Sequence, residues 1–404
     1  MIPVAITGFG AVSACGIGAE ALWSAARDGR SAVHEVVFPR IHQQQVKQAA
    51  RISDADLQTL LPGAKPRFQD RTAIIGVAAA REAVARAGLR PEDFGERCGV
   101  VVGSGLGGAE TIETGYIRFV ETPAARGDVM AIPKTMANST ASWIAMEVKA
   151  TGPTLCISTA CSSATQSIGL AADLIRAGVV DRCLAGGTEA LLSDCVFSAW
   201  ELLHVMTTSR CRPFSRERNG MVLGEGAGVV VLESMDAAKA RGATVLAELV
   251  GYATNADASD LLRPDLDGAT TCIRKAVASS GLDPARIGYV NAHGTGTVAN
   301  DLTETNALRA VFGDAFAGLS VSSTKPIHGH ALGAGGALEF IITVEALRAQ
   351  LAPPTINWLG LDPKIGFEPV PNVARPFTAD AAMSNSFAFG GINASLVVAL
   401  PGRG

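Results

Sequence analysis

The chain has 404 residues with a formal net charge of −4, 48% hydrophobic residues, 44 glycines and only 5% aromatics. That balance excludes a general electrostatic pull toward nucleic acid or anionic lipid, and no unbroken apolar run reaches the roughly 18 residues a bilayer span requires. The length allows about two to three average domains, or one large α/β unit built from two halves. With so few aromatics, the core must be Ala, Val, Ile and Leu in close backbone contact, which suits layered α/β architecture.

The eight cysteines (Cys15, Cys98, Cys156, Cys161, Cys183, Cys195, Cys211 and Cys272) form no CxxC pair and no secretory spacing. The opening Met1-Ile2-Pro3 carries no signal-peptide pattern, so a reducing cytoplasm is the expected compartment.

In chain order, Val4–Gly8 reads as a buried strand, followed by a Gly-rich turn and a short amphipathic helix near Glu20–Arg27. Residues 30–66 are mixed and polar, Gln43-Gln44-Gln45 among them, and read as surface excursions. Asp70 is placed to cap a long Ala-rich helix, Arg71–Ala87, stopped by Gly88. A strand at Gly99–Gly103 leads into Gly103-Ser104-Gly105-Leu106-Gly107-Gly108, a GxGxxG pattern. A dinucleotide fingerprint belongs to the first βαβ unit and runs straight into a helix. This one lies about 100 residues into the chain and suits a close-packed turn equally well.

Thr154–Ser158 is strand-like, and Thr159-Ala160-Cys161-Ser162-Ser163-Ala164 then opens a segment in which Ile168, Ala171, Ala172 and Ile175 recur at helical spacing. Cys161 therefore stands where a strand turns into a helix, presented as on a nucleophile elbow. The positive end of the helix dipole is expected to lower its pKa. Taken alone, a free cysteine also reads as a small buried hydrophobe. Further on, Arg210, Arg212, Arg216 and Arg218 form a basic patch in sequence.

An internal repeat organises the chain. Arg81 to Pro91 (REAVARAGLRP) is echoed by Arg274 to Pro284 (RKAVASSGLDP), and each copy runs into a strand and a Gly turn, Val100–Gly105 and Val290–Gly296. Two copies imply a duplicated fold, since solenoids need several short-period repeats. The halves are 1–245 and 246–404. The elbow also has a counterpart: Leu319–Thr324 as strand, Lys325–His330 as turn and Ala331–Ala349 as helix. Pseudo-twofold packing of the halves would bring these turns together at the central interface. They carry Asn291-Ala292-His293-Gly294-Thr295-Gly296-Thr297 and Lys325-Pro326-Ile327-His328-Gly329-His330-Ala331-Leu332-Gly333-Ala334-Gly335-Gly336, too dense in His, Lys and Gly for packing alone.

These segments resemble the β-ketoacyl acyl-carrier-protein synthases of the thiolase fold, the decarboxylating Cys-His-His kind. The TAC turn holds Cys161, HGTGT holds His293, and KxxxGHxxGAxG holds Lys325 and His330. Further matches are Asn138, Gly152-Pro153, Gly224-Glu225-Gly226-Ala227-Gly228, Asp301, Glu304, Glu339 and Asn385-Ser386-Phe387-Ala388-Phe389-Gly390-Gly391, covering essentially the whole chain in order. Thiolases proper pair the nucleophile with a second cysteine, and acetyl-CoA-primed synthases use Cys-His-Asn; this chain fits neither.

The resemblance implies an α/β thiolase-like fold of duplicated βαβαβ halves in five layers, α-β-α-β-α, the first half carrying the nucleophile and the second the two histidines. It implies an acyltransferase: an acyl group on Cys161 condenses with malonyl-acyl-carrier-protein, losing CO₂, to give 3-oxoacyl-acyl-carrier-protein in fatty-acid or related elongation. The alternative is a ketosynthase subunit of a type II polyketide or aryl polyene pathway, working with a chain-length-factor partner. By the same resemblance, His293 and His330 donate to the enolate, and Lys325 holds His330 and balances charge through Glu339. The N–H groups of Cys161 and Phe389 form an oxyanion hole, Phe389 is a gate supported by Phe387, and Thr295 and Thr297 bind phosphopantetheine. Spacing from Lys325 and the preceding Gly329 select His330 over His328.

No tightly bound cofactor is implied, phosphopantetheine arriving on the acyl carrier protein. The expected assembly is a homodimer, or a heterodimer with a related subunit, without nucleic acid or membrane. No metal site is expected, since His328 and His330 are too closely spaced for a helical pair and no acidic cluster accompanies them. The chain departs from the family at Ala388, where a Gly separates the gate phenylalanines, and at Asp260 and Leu262, where His and Thr are frequent. The segment Pro213–Gly220 also lacks the usual acidic residues. These departures leave carrier and chain length open. A non-catalytic chain-length subunit typically lacks the nucleophile, and a nucleotide-binding oxidoreductase rests only on Gly103–Gly108.

Overall fold

A computed structural model describes residues 2–122 and 127–404. Its frame is an eleven-stranded sheet whose path runs Ser320–Ser322, Ile287–Asn291, Ala381–Ala388, Ile392–Ala399, Ala247–Ala256, Val4–Ser13, Gly226–Ser234, Arg182–Glu189, Cys98–Gly103, Thr154–Ile157, with Gly16–Ile17 paired to the side. Outward from the centre, each half pairs antiparallel, antiparallel, parallel, parallel, so the order reads the same from both ends. The halves meet at an antiparallel seam, Val4↔Leu249 to Ile6↔Ala247. Even the irregularities match: the innermost pair of each half slips register, at Ile6/Gly8 and at Leu249/Gly251.

The repeated helix-loop-strand unit explains this symmetry locally. Asp70 accepts from the Thr72 N–H and Asp265 from the Gly268 N–H, capping Arg71–Ala87 and Leu266–Ser280. Both helices end on a left-handed glycine, Gly88 at φ 65 and Gly281 at φ 70, the stop that only a residue without Cβ adopts cheaply. A 3₁₀ turn follows each, Pro91–Asp93 and Pro284–Arg286, before the next strand.

Arg71–Ala87 and Ser139–Val148 cover one outer face, and Leu266–Ser280 with Val298–Phe312 cover the other. Between the halves lie Ser163–Arg176 and Gly335–Ala349, each touching strands of both. Gly335 to Leu347 is buried on every side, as a helix sandwiched between the two halves of the sheet must be. Its Phe340, Ile341 and Leu347 join Ile168, Ala172 and Ile175 of the other central helix in the largest apolar cluster. The layers are thus α-β-α-β-α. The first strand runs to Ser13, beyond the expected Gly8, because Gly10 admits the outer helix: a Cβ there would lie 2.2 Å from the Ala79 carbonyl.

Three expectations are corrected. The helix expected from Ala331 begins at Gly335, and Lys325–His328 forms a helical turn of its own. Residues 30–66 are not simple surface excursions: they hold strands His34–Glu35 and Gln48–Ala50, helix Asp54–Leu60, and buried Val36, Phe38, Val46 and Ile52. Their apolar residues follow no period because these elements are short and side-chain bonds pin the stretches between them; Gln44 bonds backbone at Val36, Phe38 and Val46. The basic patch loses Arg218, which is buried and ion-paired to Asp362 at 2.5 Å. No helix among the described residues is long and apolar enough to cross a membrane.

Candidate active site

The two central helices start at the two turns singled out in the sequence. Leaving strand Thr154–Ile157, the chain passes through Ala160 at φ 50, a left-handed conformation that costs a non-glycine residue about 1 kcal/mol, and into the 3₁₀ turn Ala160–Ser162. The following serines hold this strain. The Thr159 N–H donates to Ser163 Oγ (2.9 Å), Ser163 Oγ–H to the Ala160 carbonyl (2.7 Å) and Ser162 Oγ–H to the Thr159 carbonyl (2.9 Å). Cys161 is left at the closed end of a pocket, 6% exposed.

From the second half, strand Ile287–Asn291 ends just before His293. Glu304 accepts the N–H groups of His293 (2.9 Å) and Gly294 (2.8 Å), and Asp301 accepts those of Gly296 (3.2 Å) and Phe214 (2.8 Å). Helix Val298–Phe312 thereby fixes the turn through two buried carboxyls, pushed up by burial to about 7 for Glu304 and about 6 for Asp301. Thr295 and Thr297 pair their hydroxyls at 2.9 Å on the pocket wall. His330 is pinned on both sides of its backbone, its N–H to Val222 O (2.8 Å) and its carbonyl from the Gly224 N–H (3.0 Å).

These turns converge. His330 Nε2 lies 3.1 Å from Cys161 Sγ, and the His293 and His330 rings stand 5.4 Å apart at 82°. His328 faces away, bonded to Thr324 Oγ1 (3.0 Å) and the Gly329 carbonyl (2.7 Å). Lys325, fully buried, is ion-paired to Glu339 and stands 3.4 Å from His293 Nδ1. The lysine therefore supports His293, not His330 as the motif suggested, because the helical turn and Gly329 (φ 72) separate it from His330. Burial pushes the Glu339 carboxyl up to about 7, against the pull of Lys325.

Burial, and then the Lys325 charge, hold His293 and His330 well below the usual imidazole range, so both are neutral and each has one N–H to give. With Lys325 donating to Nδ1, the His293 proton sits on Nε2. Burial also pushes the Cys161 thiol up to about 12, against the lowering effects of Lys325 and the Phe389 N–H. Burial thus works against the pKa lowering expected from the helix dipole, and it favours the thiol. Alkylation of Cys161 by iodoacetamide should accordingly be slow at pH 7 and still rising beyond pH 9; a midpoint at or below about 8.5 would mean that the elbow dipole dominates.

Spacing in the sequence shows no metal-ligand set, but the fold gathers a donor from each of three segments, the Cys161, His293 and His330 ligand atoms lying within 4.8 Å of one another. The Lys325 ammonium beside them sets positive charge against a cation and favours an anion.

The pocket, about 140 Å³, is lined by Phe389, whose N–H reaches the sulfur and whose ring stacks on Trp200 at 5.8 Å and 17°. Phe387 lies 6.1 Å from the His293 ring. Ala388 ends its strand without a positive φ; the left-handed positions are Gly390 (φ 86) and Gly391 (φ 66), so the extra Cβ is accommodated here. The Gly390 N–H donates to the Leu261 carbonyl (2.7 Å), tying this loop to the entrance segment, where Asp260 accepts from Leu262 and Arg263 N–H. Sequence reasoning passed over Trp200 and Glu189. The latter's signal was a carboxylate ending strand Arg182–Glu189, whose middle, residues 183–187, is apolar.

The N-terminal domain model of beta-ketoacyl synthase matches residues 1–238 and the C-terminal domain model matches 246–358. The chain belongs to the β-ketoacyl synthase family. This synthase is an acyl-transferring condensing enzyme. It is 41% identical over 399 residues to Nodulation protein E of Rhizobium sp. (strain N33), covering 97% of this chain and 98% of that protein. To 3-oxoacyl-[acyl-carrier-protein] synthase 2 of Staphylococcus aureus (strain MRSA252) it is 35% identical over 404 residues, covering 98% of each. Its fold superposes on the solved structure described as the ishigamide ketosynthase/chain length factor with a TM-score of 0.94 at 34% identity, covering 99% of this chain and 100% of that one.

Proposed function

We propose that the synthase takes an acyl group from a carrier-protein thioester onto Cys161 and condenses it with malonyl-acyl-carrier-protein to give 3-oxoacyl-acyl-carrier-protein and CO₂. The observation that carries this is the 3.1 Å contact of a neutral imidazole with a buried thiol, with a second neutral imidazole 5.4 Å beyond. In acyl transfer the thiol proton passes to His330 Nε2 as sulfur attacks the thioester carbonyl, and on to the departing carrier thiol. The backbone N–H groups of Cys161 and Phe389 hold the transient oxyanion. In the second half-reaction the C–CO₂ bond of the malonyl group breaks, and its electron pair forms an enolate whose oxygen accepts from His293 Nε2–H, with His330 alongside. The enolate carbon attacks the acyl carbonyl, the tetrahedral intermediate collapses with Cys161 leaving as a thiolate, and one proton taken up from solvent by way of His330 Nε2 restores the thiol.

Phosphopantetheine arrives on the carrier past Thr295 and Thr297, and no other cofactor takes part. We read 1–245 as the half carrying the nucleophile and 246–404 as the half carrying the histidines, a reading supported by the repeated strand order and by the gap between the matched segments at 238 and 246. Eight free cysteines support a reducing, cytoplasmic setting. A homodimer is the default assembly. A second reading, a type II polyketide or aryl polyene ketosynthase paired with a chain-length factor, is favoured by the likeness to the ishigamide ketosynthase/chain length factor and by Ala388 and Leu262 on the pocket wall, with Asp260 bonded to the Leu262 N–H beside it.

Intact-mass measurement after incubation with acyl carrier proteins of different chain length and unsaturation tests the proposal. An acyl adduct mapped to Cys161 is the expected result, and the groups that load distinguish the two readings. No adduct from any donor overturns it in favour of a non-catalytic subunit.

A further inference from the structure

Glu189 is a buried acid that the reaction leaves unused, and Gly103–Gly108 is a motif it leaves unexplained. The structure puts them together. Fully buried at the end of its strand, the Glu189 carboxylate accepts from the N–H groups of Gly105 (2.6 Å), Leu106 (3.4 Å) and Gly333 (3.1 Å) and from Ser104 Oγ–H (3.2 Å). A Cβ on Gly105 or Gly333 would lie 2.7 or 2.4 Å from Oε2. The N–H groups of a Gly-rich turn, an arrangement able to cradle phosphate, are here taken up by an internal carboxylate.

The carboxylate also bridges the halves. On one side the Gly105 carbonyl accepts from Ser158 Oγ–H (3.1 Å), just ahead of the Cys161 elbow. On the other, Gly333 follows closely after His330, next to Leu332 held at φ 43. A continuous path therefore runs from the elbow through Gly105, Glu189 and Gly333 to His330.

We propose that Glu189 is a positioning residue for the condensation, a charged strut that fixes the Cys161–His330 contact across the two halves. This rests on the catalytic reading of that pair. Burial raises the Glu189 carboxyl to about 7 against its four donors. The groups that feel its charge are Cys156, two strands away in the sheet, and Cys161, on which Lys325 and Glu339 also act.

Glu189→Gln in the full-length protein presents an amide NH₂ to N–H donors and removes the charge. Expected are a kcat about 10- to 100-fold lower with KM for the carrier within about twofold, and a pH midpoint for iodoacetamide alkylation of Cys161 below that of the parent. Glu189→Asp, which keeps the charge, should bring the midpoint back. A mere packing role would slow the enzyme without moving the midpoint. A parent protein that acylates normally beside a Glu189→Gln variant with unchanged kcat and midpoint overturns this inference alone; a parent that never acylates overturns the functional reading instead. Should Glu189→Gln not fold, Ser104→Ala removes one donor and should lower both quantities in the same direction, with no change in either overturning the proposal.

Discussion

Replacing Cys161 by alanine is expected to lower condensation by at least ~10³-fold while leaving the fold intact. The side chain is small, and the elbow's geometry is held by Ser162, Ser163 and Thr159, not by the sulfur. Loss of the nucleophile removes both acyl transfer and condensation. Decarboxylation needs only the enolate-stabilising imidazoles, so it separates from both. Cys161→Gln, whose amide carbonyl takes the place of the acyl carbonyl beside the Phe389 N–H, should therefore still release CO₂ from malonyl-acyl-carrier-protein. Trapping of ¹⁴CO₂ checks this, and a variant that neither condenses nor decarboxylates would show that His293 and His330 do not act without the sulfur.

The second large effect lies at Lys325. It and Glu339 are each 1% exposed and paired with one another, so Lys325→Met strands a buried carboxylate and should cost about 3–5 kcal/mol of unfolding free energy. Lys325→Met combined with Glu339→Gln should recover most of that stability in chemical denaturation but not the activity, because the cation that holds the His293 tautomer is still missing. Recovery of both would show that Lys325 acts only by neutralising Glu339.

Much of this was legible in the sequence. The echo of Arg81–Pro91 in Arg274–Pro284 is physical: both copies encode an apolar helix face, a left-handed glycine stop and a Pro-started 3₁₀ turn. The three reactive side chains were findable because Gly-rich turns with clustered polar residues are poor packing material. What could not be read was anything decided by depth. That Lys325 serves His293, that burial opposes the elbow dipole at Cys161, and that the GxGxxG turn encloses a protein carboxylate all depend on which groups lose water together. Residues 30–66 were misread for a related reason: Gln44 and its backbone partners leave no periodic trace.

The central seam has a consequence for how the chain is made. Strand Val4–Ser13 takes its neighbours from Gly226–Ser234 and Ala247–Ala256, and it is buried along its whole length. At ~5–20 residues per second of synthesis, this apolar strand waits on the order of ten to fifty seconds before either partner leaves the ribosome. Contacts of such sequence separation form slowly even in the complete chain. Until those partners are made the strand is an exposed, aggregation-prone segment, and shielding it during translation is expected to raise the yield of this protein.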